Sequence, residues 1–189
     1  TQEVKNNKRN WAIAAKERFD MFWKDEIRKK GITQKQINDL MNRFRIKKQE
    51  ADTPIIPNAK KAVEMIAENF ENLASVSSNS NKTLNYSLDK IGLRKYFKKI
   101  TGTDEIKHSK PHPEIYQKTI EYFNIQPDHA LTVEDSTPGI TSAKRAGMKA
   151  IGVATGVEST EDLKKAGADM VLNDLSELKL DIIIDLLKI

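Results

Sequence analysis

Three short polar stretches carry the side chains best suited to chemistry. The first is Ser77-Ser78-Asn79-Ser80-Asn81, a run of small hydroxyls and amides. The second is His108-Ser109-Lys110-Pro111-His112-Pro113, in which a proline fixes the lysine before it. The third is Glu134-Asp135-Ser136-Thr137-Pro138-Gly139, which opens on adjacent carboxylates. Adjacent carboxylates supply hard oxygen ligands for Mg2+, a cation that keeps several waters and needs only one or two such groups. A hydroxyl and neighbouring backbone N–H groups can hold phosphoryl oxygens, and a fixed ammonium offers positive charge to a phosphoryl group in transfer. Pro138 and Gly139 suit the opening of a helix, whose N-terminal N–H groups favour an anion. Ser77, Ser78, Asn79, Lys110, Glu134 and Asp135 are therefore the candidate residues of a Mg2+-assisted phosphoryl site. Each stretch alone has an ordinary reading as a helix cap or surface loop. His108 and His112 bracket Lys110 and read as solvated loop histidines. The weight rests on the order and placement of all three stretches.

The elements that must position these stretches alternate. From Asn58 onward the pattern predicts helices over 58–70, 81–91, 113–124, 138–146, 159–166 and 175–188. Short strands are predicted at 73–77, 99–102, 130–133, 150–153 and 170–172. Strand–helix alternation with short connections implies an α/β domain, a parallel sheet with helices on both faces. In such a sheet ligands bind beyond the carboxyl ends of the strands. The three polar stretches follow the first three predicted strands.

The N-terminal region has a different texture. Trp11, Ala15, Phe19, Phe22, Trp23 and Ile27 recur at three- and four-residue steps, as do Ile37, Leu40, Met41 and Phe44. Both sets predict one apolar helix face. Thr33-Gln34-Lys35-Gln36 between them has the form of a capping box. Pro54 and Pro57 then break the helical pattern, which places a boundary between a helical segment, 1–53, and the α/β region, 54–189.

Composition narrows the classes. The chain of 189 residues contains no cysteine, which excludes disulfides, zinc–cysteine sites and a thiol nucleophile. It has no apolar run of the length a membrane helix needs and no signal-peptide core near Thr1, so a cytoplasmic protein is expected. Net charge is +5, but residues 1–50 alone carry +7. A basic segment attracts anions. No aromatic-and-arginine interleaving accompanies it, so nucleic acid is not the expected partner.

The motif text is similar to that of a known superfamily. SVSSNSN at 75–81, IGLRKYFKKITGTDEI at 91–106, KHSKPHPEIYQKT at 107–119, LTVEDSTPGITSAKRAGMKAIGVATG at 131–156 and ADMVLNDLSEL at 168–178 carry the likeness. They resemble the haloacid dehalogenase superfamily, in its beta-phosphoglucomutase and phosphoglycolate phosphatase-like branch. The resemblance implies a Rossmannoid core over 54–189 and a partial α-helical cap over 1–53. It implies that Ser77, with Asn79 as a second candidate, hydrogen-bonds the phosphoryl group. It also implies that Lys110 offsets charge on nucleophile and phosphoryl oxygens. Glu134 and Asp135 correspond to the acids around Mg2+, Asp135 being the more direct ligand. The implied activity is a Mg2+-dependent phosphatase acting on a small phosphorylated metabolite, or alternatively a sugar-phosphate mutase.

One element of the family pattern is not found in the sequence. An apolar strand followed by Asp-x-Asp-Gly-Thr/Val should precede the cap, its first aspartate being the covalent nucleophile. Phe19-Asp20-Met21-Phe22-Trp23 only superficially resembles it: Phe22 stands where the second aspartate belongs and no glycine follows. Without that strand, two others would face each other across a gap of unpaired backbone groups. A further N-terminal segment or a second copy of the chain would complete the sheet. The remaining alternative is a catalytically inactive binding or oligomerisation module.

Overall fold

A computed structural model of the chain describes residues 55–189, together with Thr33 and Gln36. The chain divides into two compact units, Thr1–Pro54 and Ile55–Ile189. In the first, the capping box is present. Thr33 N–H donates to Gln36 Oε1 at 2.8 Å and Gln36 N–H to Thr33 Oγ1 at 3.4 Å, with Gln36 already helical. The two apolar helix faces predicted around it, and the partial cap they would form, lie outside the described residues.

The second unit alternates as its pattern predicts: α1 (Ala59–Asn69), β1 (Ala74–Val76), α2 (Asn81–Lys90), β2 (Lys99–Thr101), α3 (Glu114–Phe123), β3 (Leu131–Glu134), α4 (Thr137–Arg145), β4 (Lys149–Val153), α5 (Thr160–Lys165), β5 (Met170–Leu172) and α6 (Leu180–Leu187). The last helix is shorter than expected. Leu175–Glu177 form a separate 3-10 turn, closed by the Asp174 carboxylate accepting from Ser176 N–H at 2.6 Å. Leu178 is then buried in extended conformation, which turns the chain before α6 begins.

All strand pairings are parallel. Among the described residues the strands form two sheets, β1-β2 and β3-β4-β5, on either side of the gap expected where a strand was not found. Among the described residues no strand pairs with the edge of β1 opposite β2, or with the edge of β3 opposite β4. Those two edges line one cavity of about 510 Å³, Ala74–Val76 on one wall and Ala130–Glu134 on the other. Its remaining lining is largely apolar, with Ile66 and Ile183 contributed by α1 and α6, and Ile120 and Phe123 by α3.

The core has two layers. Strand β4 alternates strictly between them, as period-two geometry requires. Ala150 joins Ile115, Tyr116, Ile140, Ala143 and Leu163, from α3, α4 and α5. Ile151 and Val153 join Ala62, Leu172 and Ile183, on the side of α1 and α6. Gly152 lies opposite Leu163, where an added Cβ would stand 3.0 Å from the leucine Cβ. Small residues on that side of β4 thus let α5 approach the sheet closely.

Candidate functional site

The carboxyl end of β3 forms one corner of the site. Glu134 is the last residue of the strand, and its side chain is only 10% exposed. The Lys110 ammonium, itself 7% exposed, is paired with Glu134 Oε1. Tyr116 Oη donates to the same oxygen at 2.9 Å and receives the Lys110 ammonium at 3.2 Å. Lys110 also stands 4.9 Å from the centre of the Tyr116 ring, a cation–π contact. Thr132 Oγ1 lies 3.3 Å from the phenol oxygen. On the other side Ser136 Oγ donates to Glu134 Oε2 at 2.9 Å and accepts from Gly139 N–H at 3.2 Å. One serine thereby caps α4 and holds the carboxylate. The hydrogen-bonding capacity of Glu134 is engaged by lysine, phenol and hydroxyl.

Tyr116 is buried at 2% exposure, and burial together with the neighbouring Glu134 charge pushes its phenol well above the usual tyrosine range. It stays protonated and can keep donating to Glu134. Gly139 fits against the same carboxylate so closely that an added Cβ would lie 2.1–2.3 Å from its carboxyl atoms. The first turn of α4 can seat there only because that residue has no side chain.

Asp135 follows Glu134 but faces a different environment. The residue is exposed, yet its carboxyl is partly desolvated; an added Cβ on Gly156 would lie 3.0 Å from its Oδ2. Desolvation first, and repulsion by Glu134 second, raise its pKa above the ordinary aspartate range, against a smaller lowering by its own backbone N–H and by Lys110. A carboxylate raised by a like-charged neighbour is one that a bound cation would relieve.

The loop that carries Lys110 is fastened to α4. Buried Ser142 donates to the His112 carbonyl at 2.7 Å, and Arg145 donates to the Pro111 carbonyl at 3.2 Å. The Lys110–Pro111 peptide bond is cis. Glu114, the first residue of α3, accepts from the backbone N–H of Lys107 at 3.0 Å and of His108 at 2.9 Å. The Lys107 bond, the stronger of the two, and that from His108 hold its pKa down to about 2 against a desolvation cost. Lys110 is thus delivered to Glu134 by a loop tied at both ends.

The stretch after β1 is organised around Ser77. Ser77 N–H donates to the Thr101 carbonyl at 3.1 Å, and its Oγ accepts from Asn79 N–H at 3.1 Å and Asn79 Nδ2 at 3.3 Å. Both contacts use the oxygen as acceptor and leave its proton to donate. Ser78 and Asn79 are exposed, while Ser80 is the N-cap of α2. Gly102 lets this loop settle: a Cβ there would lie 2.6 Å from the Asn79 carbonyl and Asn81 N.

The structure therefore joins Lys110 to Glu134 directly, and Asp135 is the next residue along the chain. Ser77, Ser78 and Asn79 lie at the end of β1, on the other sheet, with Ser77 bonded to Thr101 and Asn79. Tyr116 and Ser142 escaped the sequence reading, which had Ser136 and Gly139 only as part of a stretch that opens a helix. Tyr116 carried a signal, because a lone tyrosine on the apolar face of α3 (Ile115, Tyr116, Thr119, Ile120) is a polar tip that must find a partner. Ser142 carried none, because a small polar residue on a helix does not announce a loop carbonyl 30 positions away.

Known proteins resemble the chain in sequence and in fold. The chain is 29% identical over 122 residues to the pyrophosphatase PpaX of Oceanobacillus iheyensis, covering 65% of this chain and 57% of that protein. It is 32% identical over 129 residues to a phosphorylated carbohydrates phosphatase of Thermotoga maritima, covering 65% and 60%. The chain thus spans less than two thirds of the length of these relatives. Among solved structures, CbbY of Rhodobacter sphaeroides bound to xylulose-(1,5)bisphosphate is 26% identical at a TM-score of 0.64, covering 72% of this chain and 61% of that one. A beta-phosphoglucomutase of Clostridium difficile, 23% identical, shares the fold at a TM-score of 0.73 over 91% and 76% of the two chains. The family model described as haloacid dehalogenase-like hydrolase matches residues 13–153, well over half of the sequence. The chain belongs to the haloacid dehalogenase-like hydrolase family.

Proposed function

We propose that residues 55–189 form the phosphate- and Mg2+-handling part of a phosphatase for small phosphorylated metabolites. The observation that carries this reading is the buried Lys110–Tyr116–Glu134 cluster with Asp135 beside it. A fixed ammonium and an open carboxylate, side by side at a strand end, suit a phosphoryl group and a divalent cation. Among the relatives, the pyrophosphatase and the carbohydrate-phosphate phosphatase support hydrolysis of such esters. Hydrolysis is preferred to transfer between sugar positions for that reason.

The residues fit a bound Mg2+. Asp135 would hold it, since among the described residues its carboxylate takes no other side chain as a hydrogen-bond partner, and a cation would offset the desolvation and the Glu134 charge that disfavour its ionised form. Glu134 would not be a direct ligand; it fixes Lys110 and lends the site negative charge. When bound, Mg2+ would neutralise phosphoryl oxygens. Lys110 would add positive charge on the same oxygens, and Ser77 would donate its free proton to one of them. Asn79 would keep Ser77 Oγ in place through its two bonds. Helix α4 turns its N-terminal end, capped by Ser136, toward the same corner, and its dipole favours the anion.

The covalent nucleophile would come from a carboxylate on a strand seated between β1 and β3. Both edges there are unpartnered among the described residues, and the cavity walls are apolar, as a strand buried on both faces requires. The test is Mg2+-dependent hydrolysis of an aryl phosphate. It compares the chain as it stands with a version carrying an apolar strand and Asp-x-Asp-Gly-Thr ahead of Thr1. The strand is expected to raise turnover by about 10⁴-fold or more, by analogy with nucleophile deletions elsewhere. Lys110→Ala is expected to remove that gain. No hydrolysis with the added strand would sink the proposal.

Asp135 provides a second check. Because its folded-state pKa is raised, ionisation at neutral pH costs stability, and the group is most favourable below the ordinary aspartate range. In metal-free buffer at pH 7, Asp135→Asn should therefore unfold at a higher temperature than the parent. The difference should shrink as the pH falls through the raised folded-state pKa and vanish below the ordinary aspartate value of about 4. Mg2+ should raise the melting temperature of the parent and leave Asp135→Asn unmoved. A parent insensitive to Mg2+ would remove Asp135 from the metal role.

A further inference from the structure

The loop around Lys110 holds a second cluster that the phosphatase reading does not use. One ring nitrogen each from His108 and His112, and one carboxylate oxygen of Glu114, all lie within 4.8 Å of one another. His108 Nδ1 is 3.1 Å from Glu114 Oε2, and the two imidazole rings are 4.6 Å apart at 35°. Glu114 is not a free surface carboxylate. Two backbone N–H groups aim it, from Lys107 at 3.0 Å and from His108 at 2.9 Å. Both histidines are exposed, each ring making one contact to Glu114, while the carboxylate between them is held by backbone N–H groups.

We propose that His108, His112 and Glu114 form a binding site for a borderline transition-metal cation, with Zn2+ and Co2+ as the fitting ions. Two imidazoles and one carboxylate make a donor set suited to these ions. Mg2+ prefers an all-oxygen octahedral shell, so this cluster discriminates against the cation proposed for Asp135. Ligand atoms about 2.1 Å from a metal stand roughly 3–3.5 Å apart. Small rotations of the two exposed rings close the present spacing to that value. Binding through His108 Nδ1 would replace its 3.1 Å contact with Glu114 Oε2, the ring carrying its one N–H on Nε2. It also replaces the weak 3.2 Å bond from Glu114 N–H to His112 Nδ1 or turns that ring over. Two cations oppose loading. Lys118 lies 3.8 Å from Glu114 but is 44% exposed and can swing away, and Lys107 precedes His108 in the chain. The remaining coordination positions face solvent and would be filled by water.

Such an ion would clip residue 108 to residues 112 and 114 across Lys110. The loop is already tied to α4 through the His112 and Pro111 carbonyls, so a bound metal would lock the segment that presents the ammonium. The site needs no phosphate chemistry to exist, and its test does not depend on turnover.

The experiment is titration of the chain, without any histidine tag, with Zn2+ or Co2+ alone, read by calorimetry and by the visible absorption of Co2+. One equivalent is expected to bind, with a Co2+ band that a large excess of Mg2+ does not remove. His108→Ala and His112→Ala should each weaken binding at least tenfold. Their melting temperatures in chelator should match the parent, since both side chains are exposed. The chain has three histidines. The third is His129, so His129→Ala should bind as the parent does, and so should Asp135→Asn. No binding tighter than about 1 mM would overturn the site, an affinity of only about 4 kcal/mol. Binding unchanged in His112→Ala, or lost in His129→Ala, would overturn it equally.

Discussion

Lys110→Ala is expected to lower the stability of the chain by about 3–5 kcal/mol, the cost of leaving one member of a buried ion pair without the other. Among the described residues Glu134 would keep Tyr116 and Ser136 as partners, and neither carries a charge. The ammonium also packs over the Tyr116 ring, so its removal loosens that contact as well. A loss of this size is a large part of the 5–15 kcal/mol that holds a domain of this kind together. The stabilising value of the pair itself is a separate quantity. Desolvation of two charges can cancel their attraction, and uncharged replacements of similar shape are often neutral. The double variant Lys110→Met with Glu134→Gln should therefore recover most of the lost stability while remaining without phosphate chemistry. Denaturant midpoints for the two single variants and the double measure the coupling directly. A Lys110→Ala midpoint within about 0.5 kcal/mol of the parent would mean that the pair is open to water, contrary to the burial described.

How this cluster arises explains what the sequence could and could not show. Most of the five strands were legible as short apolar runs bounded by turn residues, β2 (Lys99–Thr101) more weakly because only Ile100 is apolar there, and all five are present in parallel pairs. Lys110, Glu134 and Asp135 stood out because each ends or follows a strand, where backbone groups and side chains point to open space. The pairing of Lys110 with Glu134 was not legible. It joins residues 24 positions apart and depends on where α3 and α4 pack, and no local rule encodes that. Patterning alone put Glu134 and Asp135 together as Mg2+ ligands, and the resemblance made Asp135 the more direct one. The structure separates them by environment, Glu134 held among lysine, phenol and serine and Asp135 raised by desolvation and by Glu134. The break of the sheet into two was foreseeable from the strand that could not be found. The apolar cavity between β1 and β3 was not, because its lining comes from strands and helices throughout 55–189.

Gly139→Ala is expected to destabilise the chain by about 1–3 kcal/mol and to weaken phosphate handling with it. Two effects oppose each other at this position. Alanine is the better helix former by up to about 1 kcal/mol, and Gly139 lies in the first turn of α4. Against that, its Cβ would fall 2.1 Å from the Glu134 carboxyl carbon, where heavy atoms cannot coexist. A flexible side-chain end could move aside at small cost. Glu134 cannot, because Lys110, Tyr116 and Ser136 hold it from three directions. Moving the helix instead would strain the Ser136 cap and the Ser142 anchor to the Lys110 loop. The clash therefore outweighs the propensity gain. The argument has a sharp control in Glu134→Ala, which removes the atoms in the way. In that background Gly139→Ala should become neutral or stabilising by a few tenths of a kcal/mol, since only the helix preference is left. The reversal of sign between the two backgrounds, read from denaturant midpoints, is the expected result. A Gly139→Ala substitution that stabilises the parent chain would show that α4 does not rest on the Glu134 carboxylate, and the geometry proposed for the whole corner would fail with it.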